Sequence, residues 1–306
     1  MGARGCIGQA VYDYSTAGKD FYAVSADLGH ASGFDRIISE FPEKFVNTGI
    51  AEQNLVGVAS GLSADGTPVV ATSWAMFTSA RVADQIRNFM GFMQSNVKLV
   101  GMGSGLSESR FTYSHANPPD IAILSAIPGI RIVSPCDGIE IYDCMLEAMN
   151  SDKPYYIRLT GGSRLPVIHK EGYKYDIDHA ESLMDGSDVA IVSHGVIINE
   201  ALKAARSLNE QGISTAVINM HSIKPLDYEM LDRLFEMKIV VTLEEHLING
   251  GMGSLIAQYY AEKGNGPKFK MMGINDNYPS PASYEYSVKE NGLNAPSIVN
   301  QILELF

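Results

Sequence analysis

The chain has 306 residues, 45% hydrophobic and 19% charged, the balance of a packed globular protein of about two domains; a disordered or low-complexity chain is excluded. Lys and Arg number 23 against 35 Asp and Glu, a formal net charge of −12, so neither nucleic acid nor an anionic membrane surface is an expected partner. Apolar runs fall short of the ~20 residues that span a bilayer, the N-terminus does not have the form of a signal peptide, and the three cysteines (Cys6, Cys136, Cys144) lack C-x-x-C spacing and fit inert, reduced thiols of a cytoplasmic protein.

In chain order, a helix over about Cys6–Ser15 leads to the apolar run Phe21–Asp27. Next come the strand Phe45–Ile50, a helix from about Ala51 to Leu62, the strand Pro68–Thr72, a long helix over Met76–Met93 and the strand Val97–Met102. A loop of about fifteen residues, rich in Ser, Gly, Asn and Pro, precedes a short helix near Asp120–Ala126. The strand Ile130–Ser134, the helix Ile139–Met149 and the strand Tyr155–Leu159 complete this half. The strands are short, Val/Ile-rich and hardly alternate, as expected where helices cover both faces of a parallel sheet. The class is α/β: an open doubly wound domain over 1–162, a polar linker over 163–186, and a smaller doubly wound domain over 187–306. The second domain has strands at Val189–Val192, Thr215–Met220, Ile239–Leu243 and Phe269–Met272, with helices near Asn199–Gln211, Asp227–Phe235, Ser254–Glu262 and Pro296–Leu305.

Sites in such sheets lie beyond the carboxyl ends of the strands, which directs attention to three segments. Glu52 opens a helix just after a strand, either complementing the helix dipole or pointing as a buried acid into a ligand crevice. Trp74 and Phe77 follow the next strand three residues apart; they are either core or a platform for a planar heterocycle. His115 sits in the long loop after Val97–Met102, a loop longer than the fold needs. Farther on, Glu244-Glu-His246 with Gly250-Gly-Met-Gly253-Ser suggests a structural turn more than an anion-cradling loop, since it lacks a P-loop lysine; no protein-built metal cage is expected.

Taken together, Ser25-Ala-Asp27-Leu, Gly49-Ile-Ala-Glu52-Gln-Asn, Trp74-Ala-Met-Phe77 with Arg81, Ala126-Ile-Pro-Gly129, Val133-Ser-Pro135 and Glu244-Glu-His with Gly250-Gly-x-Gly-Ser resemble the pyrimidine-binding and C-terminal domains of transketolase. The resemblance is strongest to the separate C-terminal subunit of split transketolases and covers nearly the whole chain. It implies thiamine diphosphate as coenzyme, with Glu52 hydrogen-bonding N1′ of the aminopyrimidine, Phe77 stacking on it, Trp74 beside it and Asp27 near it where two subunits meet. It further implies a catalytic role for His115 and places Arg4, Arg158 and His30 among the substrate contacts.

The departures are equally specific. No Gly-Asp-Gly occurs, so the diphosphate and its Mg²⁺ are expected on a partner subunit, in an α2β2 assembly with active sites at the interface. A family His maps to Gly103, a substrate-binding Asp to Phe111 and a phosphate-binding Arg to Gly161. The implied activity is transfer of a two-carbon ketol unit between small molecules with non-standard specificity. A decarboxylating 2-oxo acid carboligase or dehydrogenase-like component, and a non-catalytic partner subunit, are the alternatives.

Overall fold

The computed structural model describes residues 2–116, 119–162, 164–170 and 172–306. Its first sheet contains β1 (Tyr22–Ser25), β2 (Phe45–Asn47), β3 (Val69–Trp74), β4 (Val97–Met102), β5 (Arg131–Val133) and β6 (Tyr155–Arg158). The second contains β7 (Glu181–Met184), β8 (Val189–Ser193), β9 (Thr215–Asn219), β11 (Ile239–Leu247) and β12 (Lys268–Ile274). The remaining strand, β10 (Ser222–Lys224), leaves the second half and joins the first sheet, whose order is β10-β5-β6-β4-β3-β1-β2. The second sheet runs β12-β11-β8-β9-β7. All pairings are parallel except β10 with β5 and β7 with β9. These are the two mostly parallel α/β sheets expected.

Burial explains why the runs became strands. Every residue of β4, β6, β8 and β9 is buried, so both faces are covered and alternation has no role. Core side chains such as Leu55, Val69, Leu99 and Ile132 pack on one side of the first sheet, and Ile7, Val11, Val100 and Ile157 on the other.

Three expectations are revised. The long helix over Met76–Met93 is broken into a short 3-10 turn (Ala80–Val82), one turn of α-helix (Ala83–Gln85) and a π-helical stretch (Ile86–Phe92). Its start is interrupted where the Ser79 hydroxyl donates to the Ala75 carbonyl at 2.7 Å, a local bond that competes with the helix ladder. The linker over 163–186 is not wholly a linker, because β7 lies within it; residues 163 and 171 fall outside the described set. Finally, β11 extends four residues beyond the expected end, so Glu244, Glu245 and His246 are strand residues, all buried. The Glu244 carboxylate accepts from the amides of Met252 and Gly253 at 2.8 Å each, so the helix N-terminus that follows is filled by the protein's own anion.

Candidate active site

The carboxyl ends of β1, β2, β3 and β4 line one edge of the first sheet; Trp74 ends β3, and the segments that leave these strands carry Asp27, Glu52, Phe77, Gly103 and His115. Glu52 is the first residue of the helix Glu52–Leu62 and is only 4% exposed. Its Oε2 accepts from the Arg81 guanidinium at 2.9 Å, and its Oε1 lies 3.5 Å from the Ser73 hydroxyl, which donates to it. Arg81 in turn lies over the Phe77 ring, its guanidinium carbon 4.1 Å from the centroid. A flat cation is thus held between a carboxylate and an aromatic face.

His115 completes the aromatic wall. Its ring centroid is 5.5 Å from that of Phe77, 6.0 Å from Trp74 and 5.1 Å from Phe111, and its Nδ1 is 3.0 Å from the Ser114 hydroxyl. Met76, Phe77, Ala80, Arg81, Tyr113, Ser114 and His115 border a cavity of about 350 Å³. The fold therefore brings Glu52, Phe77, Trp74 and His115, each singled out by its position after a strand, into one neighbourhood. It adds Arg81 as the carboxylate's partner, a role that sequence reasoning misses, although Phe77 and Arg81 stand at an i, i+4 spacing, which is the available signal.

A second cavity, of about 500 Å³, is bordered by Arg4, Trp74, Gly103, Arg110, Gly161 and Tyr284 among others. The Arg4 guanidinium lies 5.5 Å from the Trp74 ring centre, and Arg4 borders this space. Nothing in the sequence marks Arg110. Both its Nε and a terminal nitrogen stand 3.2 Å from Oε2 of Glu108. Tyr284, from the second half, brings that domain over the cavity and donates to Glu245 at 2.8 Å.

Gly103 and Gly161, where the resemblance places a His and an Arg, both have positive φ (+68° and +101°). A Cβ at Gly161 would stand 2.8 Å from Val196, and one at Gly103 2.9 Å from Glu108 and 3.1 Å from Trp74. These positions are closed to larger side chains by backbone and neighbours alike.

Arg158 departs from its expected role. It is fully buried, its Nε pairs with Asp120 at 2.9 Å and 3.1 Å, and it donates to the Glu245 carbonyl at 2.6 Å. Its charge ties β6 to the helix Asp120–Ser125 and to β11, and it does not reach a substrate space. Asp27 and His30 lie on the exposed loop after β1. Asp27 is bound through Asn47, whose Oδ1 accepts from the Asp27 amide at 3.0 Å, while His30 is 80% exposed and 2.6 Å from Asp35. Neither contacts the Glu52–Phe77 wall.

Among the described residues, Cys136, Asp137 and His169 are the one group of metal-ligating side chains found together, within 4.8 Å. Both His169 nitrogens already face carboxylates, Asp137 at 3.1 Å and Glu181 at 2.8 Å, and these hold the imidazole protonated, raising its pKa to about 10 against the effect of burial. The group is a staple between the segment after β6, β7 and the N-terminus of the helix Gly138–Asn150. No helix among the described residues is long and apolar enough to cross a membrane.

A buried acid at the start of the helix after β2, an aromatic wall near it and a second α/β domain whose Tyr284 borders the neighbouring cavity define the class: a two-domain protein of two mostly parallel α/β sheets. Known proteins agree with this, with a match to "Transketolase, pyrimidine binding domain" over residues 1–163 and to "Transketolase, C-terminal domain" over 178–298. The chain belongs to the transketolase family. It is 37% identical to one of the apulose-4-phosphate transketolase subunits of Actinobacillus succinogenes, covering 94% of this chain and 93% of that one. It is 32% identical to a putative transketolase C-terminal section of Methanocaldococcus jannaschii, covering 99% and 96%. Among solved structures, a split-gene transketolase described as an inactive beta4 tetramer superposes with a TM-score of 0.90 at 30% identity, covering 99% and 98%.

Proposed function

We propose that this chain is the C-terminal subunit of a two-chain, thiamine-diphosphate-dependent enzyme that transfers a two-carbon ketol unit. The observation that carries this is the buried Glu52 carboxylate across a narrow gap from Phe77. The residues fit the coenzyme's aminopyrimidine, because the gap between carboxylate and ring already accommodates a flat, hydrogen-bond-donating group, the Arg81 guanidinium. Once bound, the coenzyme supplies a stabilised carbanion for carbon–carbon bond cleavage and formation. Glu52 would hold a proton shared with the ring's N1′, Phe77 and Trp74 would orient the ring, and His115 would serve as an acid or base beside both aromatics.

Diphosphate and Mg²⁺ fall to a partner, since the sequence contains no Gly-Asp-Gly. Relatives named as subunits match this chain over nearly its full length, which supports a companion subunit; an α2β2 assembly would cover the exposed Asp27 and His30. The unpaired, buried thiols support a reducing cytoplasmic setting. Gly103, Phe111 and Gly161 remove three groups that the resemblance assigns to a sugar-phosphate substrate, so the substrates differ from the ordinary ketose phosphates; Arg4 remains to meet an anionic group.

The test is reconstitution with a Gly-Asp-Gly-bearing partner. Exchange of the thiazolium C2 proton for deuterium should be fast in the wild-type complex and slower by about 10²–10⁴-fold with Glu52→Gln, the usual span for a lost acid–base group. Equal exchange in both would overturn the assignment of Glu52. Full ketol transfer from xylulose 5-phosphate would overturn the altered specificity.

A further inference from the structure

Arg81 makes with Glu52 and Phe77 the two contacts that the reading above reserves for the coenzyme ring. A guanidinium that donates to Oε2 of Glu52 at 2.9 Å and lies 4.1 Å over Phe77 stands between them, covering the ring face that looks toward the acid. It is planar, delocalised and rich in N–H donors, as an aminopyrimidine is planar and carries an amidine-like edge. Two flat groups cannot share one side of one phenyl ring.

We propose that Arg81 is a built-in placeholder for the aminopyrimidine: it fills the ring's seat in the free chain and withdraws when the coenzyme enters. The proposal rests on the reading of Glu52 and Phe77 as the coenzyme site.

Three observations support it. The carboxylate needs a tenant: Glu52 is 4% exposed, and a buried carboxylate left unpaired is strongly destabilising. Its Oε1 has only the 3.5 Å contact from Ser73, so Arg81 supplies the short bond. The tenant can also leave, because the Arg81 side chain is 48% exposed and springs from a short 3-10 turn within a broken helix. It has room beside it, in the cavity of about 350 Å³ that it borders with Met76, Tyr113 and His115. Finally, the guanidinium 4.1 Å from the Phe77 centroid takes the stacking place assigned to the ring, while it holds the carboxylate through Oε2 and leaves Oε1 with only its 3.5 Å contact. Activation therefore requires the exchange of one planar donor for another, and the energy of the Arg81–Glu52 pair is subtracted from coenzyme affinity.

The experiment measures thiamine diphosphate binding with Mg²⁺ to the complex reconstituted with its partner. Trp74, the single tryptophan of this chain, stands beside the site; calorimetry gives affinity, and stopped-flow fluorescence in a complex whose partner has no tryptophan gives rates. Arg81→Ala should bind about three- to tenfold tighter and associate faster, the equivalent of removing a partly exposed ion pair from the cost of entry. Arg81→Gln, neutral but still planar, serves if Arg81→Ala fails to assemble, and should shift affinity in the same direction. Unchanged or weaker binding by these variants overturns the placeholder while leaving the coenzyme site intact, provided that the wild type binds. Binding by Arg81→Ala but not by the wild type is its strongest support. Absence of binding in every variant overturns the coenzyme reading itself and the placeholder with it.

Discussion

Asp120 and Arg158 form an ion pair in which neither side chain is exposed to solvent, 38 residues apart in the chain and joined at 2.9 Å. Tyr156 donates to the same carboxylate at 3.1 Å, and the Glu245 carbonyl accepts from the guanidinium, so three segments, the helix Asp120–Ser125, β6 and β11, meet on one pair of charges. Removing one member leaves the other buried and uncompensated. Arg158→Met should cost about 3–5 kcal/mol of stability in urea unfolding. Arg158→Met combined with Asp120→Leu should recover part of that loss. The KM values of the folded, reconstituted enzyme should stay near wild type; a selective rise in KM without loss of stability would return Arg158 to the substrate site.

The His169 staple predicts a pH dependence whose sign follows from the raised pKa. The folded group titrates at about 10 against an ordinary value of 6.5, so its stabilising contribution is complete below about pH 6.5 and is lost as pH rises through 10. Asp137 and Glu181 face its two nitrogens, Glu140 adds negative charge nearby and Tyr173 stacks on the ring. Lys98 works in the opposite sense: burial lowers its pKa to about 7, so its neutral folded form gains stability as pH rises above that value. The measurement is therefore the difference between wild type and His169→Gln in thermal unfolding from pH 6 to 10.5. The gap should be widest at the acid end and close toward pH 10.

Thiol chemistry should be silent in the native protein. Cys136 and Cys144 are fully buried and Cys6 nearly so; burial raises all three thiols, that of Cys144 to about 12. Ellman's reagent should react with no thiol of the folded chain on the minute timescale and with all three in denaturant. Prompt reaction of a native thiol would contradict the burial.

Restoring the larger residues at the two glycines should fail. Gly161→Arg forces a side chain onto a backbone at φ +101° and into Val196, with an expected loss of about 1–3 kcal/mol. Gly103→His should displace Trp74 and alter the emission of the only tryptophan in this chain. A stable Gly161→Arg variant with new affinity for inorganic phosphate would show that the departure lies in the side chain alone.

Most of the strands are legible in the sequence because short Val/Ile-rich runs between helical stretches, such as Val189–Val192, suit a sheet covered on both faces. The strands that escape such a reading, β7 and β10, are edge strands of four and three residues, with Glu181 and Lys224 among them; an edge needs no apolar run. Glu52, Phe77 and His115 are legible because each follows a strand on the same sheet edge, and Trp74 because it ends one. Arg158 is already inside the expected strand Tyr155–Leu159; its substrate role is implied by the resemblance alone, and nothing in the sequence announces the buried partner Asp120, 38 residues away. Arg81 is underestimated because a continuous helix over Met76–Met93 gives no reason for its side chain to turn back toward Glu52; the break after Phe77 does.

The antiparallel pairing of β10 with β5 has a consequence for how this polypeptide can be divided. Ser222 and Lys224 belong by sequence to the second half and by hydrogen bonding to the first, and Lys224 also donates to the carbonyls of Ser125 and Ile127. A gene fragment ending in the segment that joins the halves would strip the outermost strand from the larger sheet and bare the backbone of β5. The halves are interlocked rather than modular: neither can be detached without unpairing a strand of the larger sheet.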